Sequence, residues 1–208
     1  MHKVKVKICG ITRPDDAILA AEAGADAIGL NFYQESPRAI DASTATKIID
    51  SLPPFITKVG LFVNASPEDI RSVLTDVNLD LIQFHGEESQ DDCLLFGLPY
   101  IKAVRMHEDI NLAALVQAYD KSSAILIDTY VSGTHGGTGK SFDWSMIDKE
   151  IIKPVILAGG LTPENVSDAI MTVKPYAVDV SSGVEKSPGI KDEYKMLEFI
   201  QLAKELTL

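Results

Sequence analysis

The sequence predicts one (β/α)8 TIM barrel, a single domain over residues 1–208. Three observations carry the prediction. Short β-branched runs alternate with amphipathic stretches from end to end, the mark of parallel strands joined by right-handed helical crossovers. Eight such strand–helix units fit within 208 residues, which suits a closed barrel better than an open doubly wound sheet. Two glycine-bearing segments follow the seventh and eighth strands, where barrel enzymes often hold a phosphate.

In chain order, the first strand is read at 4–9, where Val4, Val6 and Ile8 alternate with Lys5, Lys7 and Cys9. The helix layer wants the apolar set, so Lys7 and Cys9 face the barrel interior, with Cys9 at the C-terminal end. The first helix, at 14–23, follows Thr12-Arg13-Pro14-Asp15, a cap residue ahead of a proline and an acid. The second strand, at 27–32, carries Asn31 where an apolar residue is expected, and a helix follows at 42–51. The third strand, at 57–63, leads through Ser66-Pro67-Glu68-Asp69 into a helix at 67–77. The fourth, at 79–85, places Gln83 and His85 on one face, and its helix at 89–95 takes Cys93 as a core residue. Strand 100–104 and helix 111–119 come next, then strand 124–128 and helix 144–150. The last units are strand 154–158 with helix 163–173, capped from Thr162-Pro163-Glu164-Asn165, and strand 176–181 with helix 193–206.

A formal net charge of -11 speaks against nucleic-acid or anionic-membrane partners, because no basic surplus exists to neutralise phosphates. A small anionic ligand is still compatible, since a few local donors outweigh a distant negative surface. Two distant cysteines, Cys9 and Cys93, suggest no disulfide framework, which points to a cytoplasmic location. The N-terminus lacks the apolar core of a signal peptide, and no apolar run approaches membrane-spanning length.

The chemistry is read at the C-terminal rim. Gly159 and Gly160 follow the seventh strand; Ser181, Ser182 and Gly183 follow the eighth. Glycines allow close backbone approach and free N–H groups at a short helix start donate to phosphate, although each segment alone would pass for a tight turn. Cys9 is read as a base, with Lys7 favouring its thiolate, or else as a small core cysteine. Asp128 ends an apolar run at the same rim; it is read as a general acid with a raised pKa, or else as a capping aspartate. Arg38 in Ser36-Pro37-Arg38 suits a bidentate clamp on a substrate carboxylate, or is a solvated arginine. The glycine-rich stretch between Thr129 and Phe142 reads as a mobile lid. The four histidines show no metal-ligand spacing, so no metal is expected.

Seven ordered motifs then carry a resemblance over nearly the whole chain. They are Lys7-Ile8-Cys9-Gly10-Ile11-Thr12, Ser36-Pro37-Arg38, Val59-Gly60-Leu61-Phe62-Val63-Asn64, Gln83-Phe84-His85-Gly86, Gly136-Gly137-Thr138-Gly139-Lys140-Ser141-Phe142-Asp143-Trp144, Leu157-Ala158-Gly159-Gly160-Leu161 and Asp179-Val180-Ser181-Ser182-Gly183-Val184-Glu185. Together they closely resemble the phosphoribosylanthranilate isomerase family of tryptophan biosynthesis. The resemblance implies a barrel that performs an Amadori rearrangement of a phosphoribosyl substrate without a cofactor. It implies Cys9 as general base, Asp128 as general acid and Arg38 facing the anthranilate carboxylate. It also implies Gly160, Ser182 and Gly183 as phosphate ligands, with Gly137 and Thr138 from the lid. Asp179, beside Ser181, is expected to hold a ribose hydroxyl, and His85 to touch substrate or orient a neighbour.

Three alternatives stand beside this reading. The histidine-pathway isomerase performs the same rearrangement with two aspartates, which Cys9 argues against. A non-catalytic phosphate-binding barrel would have no reason to keep both Cys9 and Asp128. Metal-dependent sugar-phosphate epimerisation lacks its ligand set. The expected partner is a small phosphorylated substrate, and the chain is expected to be a monomer or homodimer.

Overall fold

A computed structural model describes residues 3–106, 110–128, 144, 147 and 151–206. Eight strands form a closed barrel: β1 (Lys5–Cys9), β2 (Ala27–Asn31), β3 (Thr57–Phe62), β4 (Leu81–Phe84), β5 (Tyr100–Arg105), β6 (Ala124–Asp128), β7 (Val155–Ala158) and β8 (Ala177–Val180). Each runs parallel to its neighbours, and β8 closes the ring against β1 with Lys7 opposite Asp179. The described helices are α1 (Pro14–Glu22), α2 (Ala42–Asp50), α3 (Pro67–Asp76), α4 (Gln90–Cys93), α5 (Leu112–Ala118), α6 (Val166–Val173) and α7 (Glu193–Glu205). Of the helix expected at 144–150, only Trp144 and Ile147 are among the described residues. A small antiparallel hairpin, β9 (Glu185–Ser187) and β10 (Ile190–Lys191), sits between β8 and α7; no pattern in the sequence announces it.

The alternation expected of β1 is the alternation observed. Val4, Val6 and Ile8 pack outward with Ala17, Phe199 and Ile200 in the layer between strands and helices. A smaller core fills the barrel itself, from Val59, Ile101, Ala124, Leu126, Ile156 and Ala177. Side-chain period two therefore decides which residue of each strand reaches the C-terminal mouth. On β6, Ile125 and Ile127 join the outer layer and Leu126 the inner one, which leaves Asp128 on the inward face.

Helix starts agree with expectation in part. Ser66 caps α3 by accepting from Asp69 N at 3.1 Å. Thr12 is not a cap: its hydroxyl donates to Gly189 O, and α1 begins after Arg13 without a side-chain cap. Thr162 is not one either, because α6 begins three residues later than expected, at Val166. Asn165 explains the delay. Its Oδ1 accepts from Thr162 N at 2.9 Å and its Nδ2 donates to Gly160 O at 3.0 Å, closing a turn that fixes the loop after β7. The helix expected at 89–95 is a short α4 followed by a 3-10 turn over Leu94–Phe96, ended by Gly97 at φ 68°.

Candidate active site

The C-terminal ends of the strands surround a cavity of about 500 Å³. Its wall brings together Cys9, Arg38, His85, Asp128 and Asp179. The loops after β7 and β8 add Gly159, Gly160, Ser181, Ser182 and Gly183. Gly137 and Thr138 lie outside the described residues.

Cys9 is 6% exposed and opens on the cavity. Gly29, its partner on β2, makes room for it: a Cβ there would lie 2.7 Å from the Cys9 Sγ and 3.2 Å from the Lys7 Cε. Lys7 does not act as a lone cation beside the thiol. Its Nζ donates to Asp179 Oδ1 at 2.8 Å, and both side chains are almost wholly buried. Burial pushes the Cys9 thiol up; Lys7 and Lys191 pull it down, while Asp179 works against them. Lys7 thus pulls toward the thiolate as the sequence suggested, but burial outweighs that pull and the Asp179 carboxylate opposes it.

Asp128 stands three strands from β1 by the shorter way round the ring. Its Oδ2 lies 3.3 Å from His85 Nε2. On the other side of the ring, Gln83 Nε2 lies 3.0 Å from His85 Nδ1. Gln83 is fully buried at the fourth strand's inner face, so an amide from the barrel floor orients the imidazole that faces the carboxyl. His85 thus lies between Gln83 and Asp128.

Arg38 reaches the cavity from the loop after β2, but its fork is occupied. Nε donates to Glu185 Oε1 at 2.8 Å and Nη2 to Glu185 Oε2 at 2.6 Å. Glu185 in turn accepts from Lys191 Nζ at 2.9 Å. Asn31, out of pattern in the sequence, has a local task. Its Nδ2 donates to Ser36 Oγ at 3.0 Å, its Oδ1 accepts from Tyr33 N at 2.9 Å, and Ser36 Oγ accepts from Arg38 N at 3.1 Å. The polar side chain in β2 shapes the turn that carries the arginine.

The loop after β8 forms a three-residue 3-10 helix, Ser182–Val184, as the sequence suggested. A Cβ on Gly183 would lie 1.9 Å from Leu161 O, so the two loops touch backbone to backbone and only glycine fits. Ser181 Oγ is buried in this wall and has no hydrogen-bond partner among the described residues.

Sequence reasoning missed Glu185 as the partner of Arg38, and missed Lys191 altogether. Lys191 lies 182 positions from Cys9, whose carbonyl it reaches. No local pattern joins positions so far apart, and a lysine in a short hairpin reads as surface.

Comparison with known proteins places this geometry among described relatives. The family model for N-(5'-phosphoribosyl)anthranilate isomerase matches residues 6–202. The protein named N-(5'-phosphoribosyl)anthranilate isomerase from Pseudomonas fluorescens is 56% identical over 204 residues, covering 98% of this chain and all of that one. The crystal structure of phosphoribosyl anthranilate isomerase from Thermotoga maritima is 44% identical, with a TM-score of 0.89, covering 98% of this chain and 100% of that one. A phosphoribosyl anthranilate isomerase structure in complex with reduced 1-(o-carboxyphenylamino)-1-deoxyribulose 5-phosphate is 42% identical, with a TM-score of 0.86 and the same coverage.

Proposed function

The chain belongs to the N-(5'-phosphoribosyl)anthranilate isomerase family, and on that premise we propose how its own residues carry the reaction. The activity is the isomerisation of N-(5'-phosphoribosyl)anthranilate to 1-(2-carboxyphenylamino)-1-deoxyribulose 5-phosphate in tryptophan biosynthesis. Asp128 gives a proton to the furanose ring oxygen; the C1–O bond breaks and the nitrogen lone pair forms the Schiff base. Cys9 as thiolate then removes the C2 proton, and the electron pair moves to give an enolamine. Ketone formation completes the isomerisation. The overall reaction gains and loses no proton, so the proton held by Cys9 and the one missing from Asp128 are restored in that last stage. No redox change occurs at the enzyme, and proton transfer alone needs no cofactor.

One observation carries the reading: a thiol and a carboxyl face one cavity from separate strands, above loops suited to phosphate. The His85 ring holds the Asp128 carboxyl, and Arg38, aimed by Glu185, meets the anthranilate carboxylate. Gly159, Gly160, Ser182 and Gly183 receive the phosphate with Ser181 Oγ, while Asp179 takes a ribose hydroxyl. Gly137 and Thr138 belong to the same proposal as lid residues. The single-domain assignment to residues 1–208 stands with it, as do a cytoplasmic location and a monomeric or homodimeric state. The test is a fluorescence assay on phosphoribosylanthranilate made in situ. If Cys9→Ala turns the substrate over near the wild-type rate, Cys9 is a core residue and the acid–base roles of Cys9 and Asp128 are wrong.

A further inference from the structure

Lys191 ends the β9–β10 hairpin, and its side chain has no exposed surface. An ammonium that deep must have every proton accepted. The Nζ donates to Cys9 O at 2.6 Å, to Ser181 O at 3.1 Å and to Glu185 Oε1 at 2.9 Å. Three acceptors meet the three donors of a protonated amine; a neutral amine has only two. Those acceptors are not equivalent pieces of scaffold. Cys9 O belongs to the end of β1, Ser181 O to the turn after β8, and Glu185 to the carboxylate that grips Arg38 by both oxygens.

We propose that Lys191 is a positioning residue for the reaction, a single buried ammonium that sets the strand end bearing Cys9, the wall bearing Ser181 and, through Glu185, the guanidinium of Arg38. The inference rests on Cys9 being the base. Charge adds a second consequence. Lys7 and Asp179 form one neutral pair beside Cys9, and Arg13 and Asp16, whose carboxylate accepts from Lys191 N, form another. Arg38, Glu185 and Lys191 together leave one positive charge over. That surplus lies on the carbonyl side of Cys9 and is the charge that a thiolate there balances. His85 and Asp128 face Cys9 only from across the cavity.

The test replaces Lys191 with methionine, which keeps length and apolar bulk but has no donor. Three quantities are measured: kcat and KM for phosphoribosylanthranilate, and the pH dependence of Cys9 alkylation by iodoacetamide, followed on the Cys9 peptide. Cys93 does not compete, since burial pushes its thiol up to about 12. Lys191→Met is expected to lower kcat and raise KM, each about tenfold. Cys9 alkylation should move to higher pH, about tenfold slower at a fixed mildly alkaline pH, which corresponds to one pKa unit. Lys191→Arg keeps the charge, so its alkylation profile should stay closer to wild type. A folded Lys191→Met enzyme with wild-type kcat, KM and alkylation profile overturns the proposal.

If Lys191→Met does not fold, Glu185→Gln decides. It leaves both carbonyl contacts of Lys191 intact and weakens the links that Glu185 makes to Lys191 and to Arg38. A KM raised more than kcat is lowered supports the proposal, and unchanged values overturn it. Cys9→Ala run beside these variants separates the two failures. An active Cys9→Ala sinks the base assignment, whereas an inactive Cys9→Ala beside a normal Lys191→Met sinks only the role of Lys191.

Discussion

At the C-terminal mouth of the barrel, Cys9, His85 and Asp128 face a cavity of about 500 Å³. At the N-terminal mouth, Val59, Leu81, Ile101 and Ile156 face a cavity of about 490 Å³. The two hollows are nearly equal in size and lie at the two ends of one barrel, yet one is walled largely by groups that titrate or donate and the other mainly by hydrocarbon. Between them lies the buried Lys7–Asp179 pair, Lys7 bordering the lower cavity and Asp179 the upper. The difference comes from two-residue steps along single strands. β6 passes from Ala124 through Leu126 to Asp128, and β8 from Ala177 through Asp179 to the turn at Ser181. Volume alone therefore does not identify an active site in this barrel. What does is polarity concentrated at strand ends, where loops can deliver Arg38, Glu185 and the glycine turns.

The largest expected effect lies at the upper mouth and leaves the fold alone. Cys9→Ala and Asp128→Asn should each lower kcat by about 10²–10⁴, the range for one acid–base group, with little change in KM or melting temperature. The active form needs Cys9 without its proton and Asp128 with its own, so kcat/KM should trace a bell in pH. Because burial holds the Cys9 thiol above its ordinary value, the base side of that requirement is met only as pH rises, and activity should fall as pH drops below it. The limbs belong to the coupled pair rather than to either residue. A profile in Cys9→Ala with wild-type height would remove the upper mouth's claim to the chemistry.

The lower mouth should answer the opposite way. Ile156 is 6% exposed and packs in the inner core. Ile156→Ala should destabilise the protein by about 2 kcal/mol, the lower end for such a truncation, because the site already borders a cavity. Urea unfolding would give the stability and the fluorescence assay the rate. A kcat change larger than the stability change would mean that the two mouths are coupled.

How much of this contrast was legible in sequence depends on distance along the chain. Strand alternation turned Cys9 inward at the rim and the end of an apolar run marked Asp128 there, both of them local signals. The glycine segments after β7 and β8 were legible for the same reason. Asn31 was seen as out of pattern, but its role needed the turn to Ser36, which no periodicity reveals. Thr12 and Thr162 matched cap spacing and were overruled, one by a hydroxyl bond to Gly189 O and the other by the Asn165 turn. The pairings Lys7–Asp179 and Arg38–Glu185 join residues 172 and 147 positions apart. Those pairings set a carboxylate against the pull of Lys7 on Cys9 and filled the fork of Arg38. Charges taken one at a time mislead when burial pairs them.

A smaller effect distinguishes contact from chemistry within the upper mouth. Gly183→Ala brings a Cβ to 1.9 Å from Leu161 O, so the loops after β7 and β8 must separate. The expected result is a KM raised about tenfold, roughly 1.4 kcal/mol of binding, with kcat much less affected. Inorganic phosphate should lose inhibitory potency in parallel. A kcat loss as deep as that of Cys9→Ala would mean that these loops hold the reacting atoms rather than the phosphate.

The smallest effect belongs to the rim of the lower mouth. Asp26 accepts from Lys5 Nζ at 2.9 Å, from Val6 N at 2.8 Å and from Lys204 Nζ. Burial pushes its carboxyl up, but hydrogen bonds from Lys204, Lys5 and Val6 outweigh that and hold it below its ordinary value. A carboxyl with a depressed folded pKa contributes stability that is fully present above its unfolded value, about 3.9, and is lost as pH falls through the folded value. Asp26→Asn should therefore destabilise the protein at neutral pH by no more than about 1 kcal/mol, since the site is partly solvated and the amide keeps an acceptor for Val6 N. The gap between variant and wild type should close as pH falls below the ordinary carboxylate range. Isomerase activity at neutral pH should not change, because the pair sits at the opposite end of the strands from Cys9. A gap that stays constant down to the acid limit would show that packing, rather than the charge on Asp26, carries the contribution of this rim.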